Sequence, residues 1–241
     1  MADERPTGYL SAEAEAALHQ VSTATLTSQL LKRGFRNTFL TGVEPLRPDL
    51  RMVGYAFTLR FVPMREDLDI DRAVNNLTSP QRIAIESVGA KDVLVIDARG
   101  ETGSGTIGDI LATRMKVLGA VGVVTDGALR DLTGMQATDL PSYARATHGA
   151  ASPTKHHPAD INLPIGCAGV LVMPGDVMVG DADGVVVIPM AVAEEVALAA
   201  LEQEEVEAFV LTKIQAGSSI IGVYPPGDDT RAEFERQRDK G

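Results

Sequence analysis

Apolar positions recur along the chain in two rhythms, one helical and one extended. Residues 11–34, SAEAEAALHQVSTATLTSQLLKRG, predict helical segments, with Ser22 and Thr23 placed to cap and Gly34 to stop them. RMVGYAFTLRFVP (51–63) has the β-branched and aromatic content of a strand, and SPQRIAIESVG (79–89) reads as a short amphipathic helix. A strand over DVLVID (92–97), a glycine loop, a helix over 109–118 closed by Gly119 and a strand over 120–125 then make a β-α-β unit. The pattern changes at DINLPIGCAGVLVMPGDVMVGDADGVVVIP (160–189), whose short apolar runs are split by Pro-Gly-Asp and Asp-Gly turns and predict a β-meander. Residues 191–217 form a long amphipathic helix with Gly217 as its stop. YPPGDD (224–229) breaks the chain before a charged tail read as a peripheral helix. With no repeat, low-complexity stretch or linker in the sequence, one mixed α/β domain accounts for residues 1–241.

Composition narrows the function classes. The 241 residues, 44% of them hydrophobic, suffice for a sizeable core. No apolar run approaches the roughly 20 residues that span a bilayer, and no apolar stretch follows the N-terminal MADERPTGYL, so a soluble, cytoplasmic protein without a membrane partner is expected. The single cysteine, Cys167, excludes an internal disulfide framework and multi-cysteine metal sites. A net charge of −11 opposes a phosphate backbone, and 4% aromatic residues leave few stacking platforms, so nucleic acid is not an expected partner.

The string GSGTIG (103–108) raises a dinucleotide reading, strengthened by Asp126, 18 residues past Gly108, where a ribose-binding acid would sit. Two features oppose it. The consecutive β-runs of 160–189 stand where a Rossmann domain needs further β-α-β units, and Asp109 places a carboxylate at the helix start that a pyrophosphate would require.

The same unit suggests different chemistry. A ten-residue helix rises roughly 15 Å and a five-residue strand spans roughly 17 Å, so Asp109 and the DGALRD segment (126–131) should return to one end of the sheet. There the amides of Ile110 and Leu111, just after Gly108, can bind a carboxylate. Arg130 can hold a carbonyl or developing enolate oxygen. Asp131 can ligate Mg²⁺ or Mn²⁺, with Asp109 holding one of the ion's waters. The bland alternative makes Arg130 and Asp131 solvated loop charges and Asp109 a helix cap.

Asp109, twenty intervening residues and Arg130-Asp131 resemble the D-X20-R-D signature of the RraA-like proteins and 4-hydroxy-4-methyl-2-oxoglutarate aldolases. GDILATRMKVLGAVGVVTDGALRD, INLPIGCAGVLVMPGDVMVGDADGVVVIP and STATLTSQLLKRG resemble family segments, so the likeness covers about residues 20–215 and leaves 216–241 as a peripheral tail. It implies a single α/β domain of the swivelling β/β/α sandwich class, here with a C-terminal helical extension. It implies assembly as a homotrimer or hexamer with sites between subunits. It also implies a divalent-metal-dependent class II lyase that cleaves a 4-hydroxy-2-oxo acid to pyruvate, with oxaloacetate decarboxylation as a side activity. By position, Asp131 would ligate Mg²⁺ or Mn²⁺, Asp109 would contact its water shell, Arg130 would bind the pyruvyl oxygen, and the amides of Ile110 and Leu111 would bind the carboxylate. A glutamate of a neighbouring subunit's long helix would complete the site, and aligns with Glu204. The family also holds regulators that inhibit a ribonuclease by protein contact, the alternative kept here. A menaquinone-pathway methyltransferase label is disfavoured. RFVPMREDLDIDRAVNN (60–76) and the tail from GVYPP depart from the family pattern, and if the first borders the cleft its charges would alter the fragment accepted.

Remaining features carry mostly structural expectations. DADG (181–184) resembles the opening of an EF-hand loop but lacks the Asp and Glu that complete one, and reads as a hairpin turn. HHP (156–158) reads as a loop, since no third donor stands near enough for a zinc site. Cys167 reads as a small buried hydrophobe, and Lys116 as a solvent-exposed helix residue, not a Schiff-base lysine. Ser104 and Thr106 lie near the proposed site without an assigned role.

Overall fold

The first helices, α1 (Ala12–Leu18) and α2 (Thr23–Lys32), begin on serine caps whose hydroxyls accept from the amides of Ala14 and Thr25. In this computed structural model, which describes residues 9–69 and 78–238, they are followed by β1 (Glu44–Pro45), β2 (Met52–Pro63), α3 (Glu66–Asp69) and α4 (Pro80–Ser87). The predicted β-α-β unit is β3 (Asp92–Asp97), α5 (Asp109–Val117) and β4 (Gly122–Leu129). Then come α6 (Leu132–Ala137), β5 (Ser142–Thr147), β6 (His156–Ile161), β7 (Ile165–Cys167), β8 (Val170–Val172), β9 (Val177–Gly180), β10 (Val185–Ile188), α7 (Met190–Gln215) and α8 (Asp228–Arg238).

The main sheet runs β1-β5-β4-β3-β2-β9-β10, with β6 also on β2. Strands β2 to β5 are parallel, as their helical crossovers require. The twelve-residue β2 is long enough to pair with β3 along one edge and with β9 and then β6 along the other. Residues 38–45 tie the two ends of the sheet together: the Leu40 amide donates to Val185, the Val187 amide donates to Thr38, and β1 pairs with β5. The sheet is thereby nearly closed into a barrel.

The meander expected over 160–189 is not what forms. β7 and β8 make a separate two-stranded sheet, and β9 inserts beside β2 before turning into β10. The turns were legible, but β9 and β10 are buried on both faces, so no alternation of apolar and polar residues marks their partners. The DADG turn does close the β9–β10 hairpin, as expected, with the Asp181 amide donating to the Gly184 carbonyl.

Three apolar layers hold the domain. Met52, Val93, Val95, Val124, Tyr143 and Met178 fill the space between the curled sheet and β7–β8. Cys167 lies in this layer, and burial pushes its thiol well up, as an inert packing residue requires. Helices α4, α5 and α6 cover Leu59, Leu94 and Ile96 on one side. α1, α2 and α7 cover Val177, Val179 and Val186 on another. This is the β/β/α class that the resemblance implied, and α8 forms the helical extension, packed back on α7 through Phe209–Phe234 and the Lys213–Glu233 ion pair. Among the described residues no helix is long and apolar enough to cross a membrane.

The start of α2 is held by carboxylates from two distant elements. Glu204 of α7 accepts from the Ser22 amide and hydroxyl at 2.6 and 2.7 Å. Asp181 accepts from the Thr23 amide and hydroxyl at 2.7 and 2.8 Å. Ser22→Ala, which loses both the cap and one bond to Glu204, is expected to lower stability by about 1–2 kcal/mol, read as a lower urea midpoint at unchanged slope.

Candidate active site at the ends of β3 and β4

Because β3 and β4 are adjacent and parallel, the loops that leave them open at one edge of the sheet, where α/β folds gather ligands. The glycine loop after β3 does not stand free. Gly105 bridges to Ala128, the Thr106 amide donates to the Ala128 carbonyl at 2.7 Å, and the Arg130 amide donates to Ile107 at 3.0 Å. The loop thus lies against the last residues of β4 and delivers Asp109 beside Arg130 and Asp131.

Close approach explains the glycines. A Cβ on Gly105 would stand 2.7 Å from Cβ of Arg130, and one on Gly108 would stand 2.2 Å from Oδ2 of Asp131. Gly134, on α6, leaves the corresponding room for Asp109, whose Oδ2 would be 2.1 Å from an added Cβ. The missing side chains make space for two carboxylates and an arginine of the same chain.

Asp126 does not hold a ribose. The strand expected to end at 125 continues to Leu129, so Asp126 lies inside it, 4% exposed, and accepts from the amides of Ala98 (2.7 Å) and Gly100 (3.0 Å). It pins the start of the glycine loop. Asp126→Ala leaves those donors without their carboxylate and is expected to cost about 3 kcal/mol, measured by chemical denaturation. Asp97, at the end of β3, is half-buried, and burial pushes its carboxyl up against the amide it holds at Arg99.

The three sequence-predicted side chains meet in a cavity of about 410 Å³, whose walls include Asp109, Ile110, Leu111, Arg130 and Asp131. Nε of Arg130 donates to Oδ2 of Asp131 at 3.1 Å. Both side chains are more than a third exposed, so the pair contributes little stability and remains open to a ligand. Asp131 adopts the left-handed conformation (φ 58°, ψ 47°), which a non-glycine residue holds at a cost of about 1 kcal/mol or more. The Met135 amide donates to its carbonyl at 2.8 Å and fixes that turn.

The start of α5 departs in one respect from the expected carboxylate cradle. Oδ1 of Asp109 accepts from the Ile110 amide at 2.8 Å, so that donor is engaged within the chain, while the Leu111 amide belongs to the first turn, which has no intrahelical acceptor. Lys116 lies two turns further along, where its amine donates to the Thr138 carbonyl, away from the cavity. Glu204 does not line the cavity either: α7 packs in a different layer from α5, so a role for Glu204 in such a site requires a second copy.

Other wall residues were not expected. HHP is not a loop but the start of β6, and His156 lines the cavity from the side of β2. Asp69, from the segment that departs from the family pattern, also lines it. It is 3% exposed, with His157 Nδ1 at 2.8 Å and the Arg65 amide at 2.9 Å. The part of that segment from 70 to 76 lies outside the described residues. Only the pairing of β6 with the far half of β2 brings these groups together, and no local pattern in the sequence encodes it. Thr106 is structural, its hydroxyl donating to the Ala128 carbonyl.

The donor set suits a hard cation. Among the described residues no three His, Cys, Asp or Glu side chains cluster around a metal position. Asp109 and Asp131 offer carboxylate oxygens in an open cavity, which fits Mg²⁺ or Mn²⁺ retaining several waters and does not fit a closed zinc site.

Residues 23–187, more than half of the chain, match the family model described as RraA-like: Aldolase/RraA. A protein of Halalkalibacterium halodurans named "Putative 4-hydroxy-4-methyl-2-oxoglutarate aldolase" is 39% identical over 154 residues, 64% of this chain and 67% of the relative. One of the same name from Azotobacter vinelandii is 33% identical over 115 residues, 48% of this chain and 68% of the relative. The crystal structure of Streptomyces coelicolor RraAS2, described as an unusual member of the RNase ES inhibitor RraA protein family, superposes with a TM-score of 0.74 at 33% identity, covering 86% of this chain and 98% of that one.

Proposed function

The chain belongs to the RraA-like family, and from that premise we propose that it is a divalent-metal-dependent lyase cleaving a 4-hydroxy-2-oxo acid to pyruvate and a carbonyl fragment. The observation that carries this reading is the convergence of Asp109, Arg130 and Asp131 in one cavity, in space that Gly108 and Gly134 leave free. Held by Asp131 and, through water, by Asp109, Mg²⁺ or Mn²⁺ would supply Lewis-acid polarisation of the 2-oxo group. A glutamate from a neighbouring copy, Glu204, would complete the ligand set in a homotrimer or hexamer.

The chain's own groups do the rest. The first turn of α5, through Leu111 and through Ile110 once Asp109 turns to its water, orients the substrate carboxylate. Arg130 donates to the 2-oxo oxygen and stabilises the negative charge that gathers there. Asp109 orients a water that takes the C4 hydroxyl proton. The C3–C4 bond then breaks, its electron pair passing to the pyruvyl fragment as an enolate while the C4 oxygen becomes a carbonyl. Protonation at C3 gives pyruvate. Loss of CO₂ from oxaloacetate leads to the same enolate, so decarboxylation accompanies cleavage.

The test is pyruvate release from 4-hydroxy-4-methyl-2-oxoglutarate and from oxaloacetate. Turnover with Mg²⁺ or Mn²⁺ and its loss in EDTA are expected; the absence of pyruvate from both substrates with either metal would overturn the reading. The likeness to RraAS2 supports a second reading, a regulator acting on a ribonuclease by protein contact. Inhibition of such a ribonuclease by an Arg130→Ala variant that releases no pyruvate would favour it.

A further inference from the structure

Helices α4 and α5 both begin at the cavity. Ser79, Gln81 and Arg82, from the start of α4, line it together with Gly108, Ile110 and Leu111 from the start of α5. Nε2 of Gln81 donates to the Thr106 carbonyl at 2.5 Å, which ties the first turn of α4 to the glycine loop and holds the two helix starts in one arrangement. Pro80 takes the first position of α4 and has no N–H, so the Gln81 amide is the first donor of that turn, where helices have no internal acceptor.

Ser79 stands at the cap position of α4 without making the cap bond. The hydroxyls of Ser11 and Ser22 accept from first-turn amides of α1 and α2, whereas that of Ser79 does not. The residue is 8% exposed, and its hydroxyl has no partner among the described residues. It is not sealed in, however. The buried, unpartnered side-chain atoms cut off from solvent are Oγ of Ser104 and Nε2 of His156, so Oγ of Ser79 keeps accessible surface in the wall of the cavity. Beside it Arg82, half-buried in the same wall, carries five N–H donors on its guanidinium, more than one partner uses.

Helix start, hydroxyl and guanidinium are all donors, and a carboxylate is the ligand such a set takes. The opposing charge in this wall is Asp69, whose two oxygens are turned to His157 Nδ1 and to the Arg65 amide. We propose that the start of α4, with the hydroxyl of Ser79 and the guanidinium of Arg82, is a second carboxylate subsite, which binds an acid group on the departing fragment and so selects 4-hydroxy-2-oxo acids carrying a carboxylate at each end. This rests on the lyase reading, which gives the pyruvyl carboxylate to α5 and the 2-oxo oxygen to Arg130. Of the two arginines that line the cavity, Arg82 is then the one that serves the far end.

The experiment is calorimetric titration of the full chain in Mg²⁺ with 2-oxoglutarate, 2-oxopentanoate and pyruvate. The first two lack the C4 hydroxyl needed for cleavage and differ in having a carboxylate or a methyl group at C5, while pyruvate carries the pyruvyl end alone. The wild type should bind 2-oxoglutarate about tenfold or more tightly than 2-oxopentanoate, the range of a hydrogen bond to a charged group. Ser79→Ala should narrow that ratio by about threefold or more, and Arg82→Gln should erase most of it, with 2-oxopentanoate and pyruvate bound as by the wild type. Because the Ser79 hydroxyl bonds nothing among the described residues, Ser79→Ala should melt at the wild-type temperature, and it carries the test should Arg82→Gln not fold. Equal binding of the two five-carbon acids by the wild type, or a ratio unchanged in Ser79→Ala or in folded Arg82→Gln, would overturn the subsite and leave the lyase reading standing. Failure of the wild type to bind pyruvate would overturn both.

Discussion

Arg130→Ala is expected to lower kcat for pyruvate release by about 10²- to 10³-fold, the range for removing one donor aimed at a developing oxyanion. KM should change far less, because Arg130 is asked to hold charge that accumulates after the substrate has bound. The fold should survive. The Arg130 side chain is more than a third exposed, its backbone bond to Ile107 does not depend on the guanidinium, and its ion pair among the described residues is with the adjacent Asp131. Arg130→Lys should recover only part of the loss, since an ammonium cannot both pair with Asp131 through a fixed fork and reach the oxyanion. Steady-state kinetics on oxaloacetate, beside thermal melts of both variants, provide the check. Unchanged kcat in folded Arg130→Ala would remove the central residue from the proposed chemistry.

Gly108→Ala should damage activity almost as severely by a different route. The backbone there, at φ −129° and ψ −171°, suits alanine, so no conformational penalty arises. The added methyl, however, would lie 2.2 Å from the Asp131 carboxylate and 2.9 Å from Cγ of Arg130, and both must move. A fall in kcat of about 10²-fold is expected, since displacement of reacting groups by an ångström can cost that much. Stability should change by under about 1 kcal/mol, as both displaced side chains are partly solvated. Gly149→Ala is the control: a Cβ there meets nothing within 4 Å, and both activity and stability should match the wild type.

What could be read in the sequence was what short-range chemistry encodes. The β-α-β unit around GSGTIG and the meeting of Asp109 with Arg130-Asp131 follow from helix rise and strand length, and the structure has both. The Ser22 cap and the Gly34 stop depend on residues within one turn, and they too are present. The places where the reading failed depend on long-range pairing. β9 carries no polar face to announce its place beside β2, and Asp126 looked like the end of a strand because a buried carboxylate that serves backbone amides is indistinguishable in sequence from a ligand-binding one. That HHP begins a strand at the cavity, and that Asp69 of the 60–76 segment lines it, is not legible in the sequence for the same reason. His156 and Asp69 reach the cavity through the antiparallel contact of β6 with β2 and through the turn that follows β2, separated from Arg130 by 25 residues or more.

The segment 38–45 that ties β10 to β5 has a consequence for association. A sheet that ends in bare strands offers its unpaired amides and carbonyls as a template, on which a second chain can add a strand with little regard for sequence. Here the outer edge of β10 and the first half of β5 are already occupied by the chain's own residues. Copies that meet along these edges must therefore recognise side chains and helix surfaces, a contact that depends on sequence, and promiscuous strand addition is blocked there before a partner arrives.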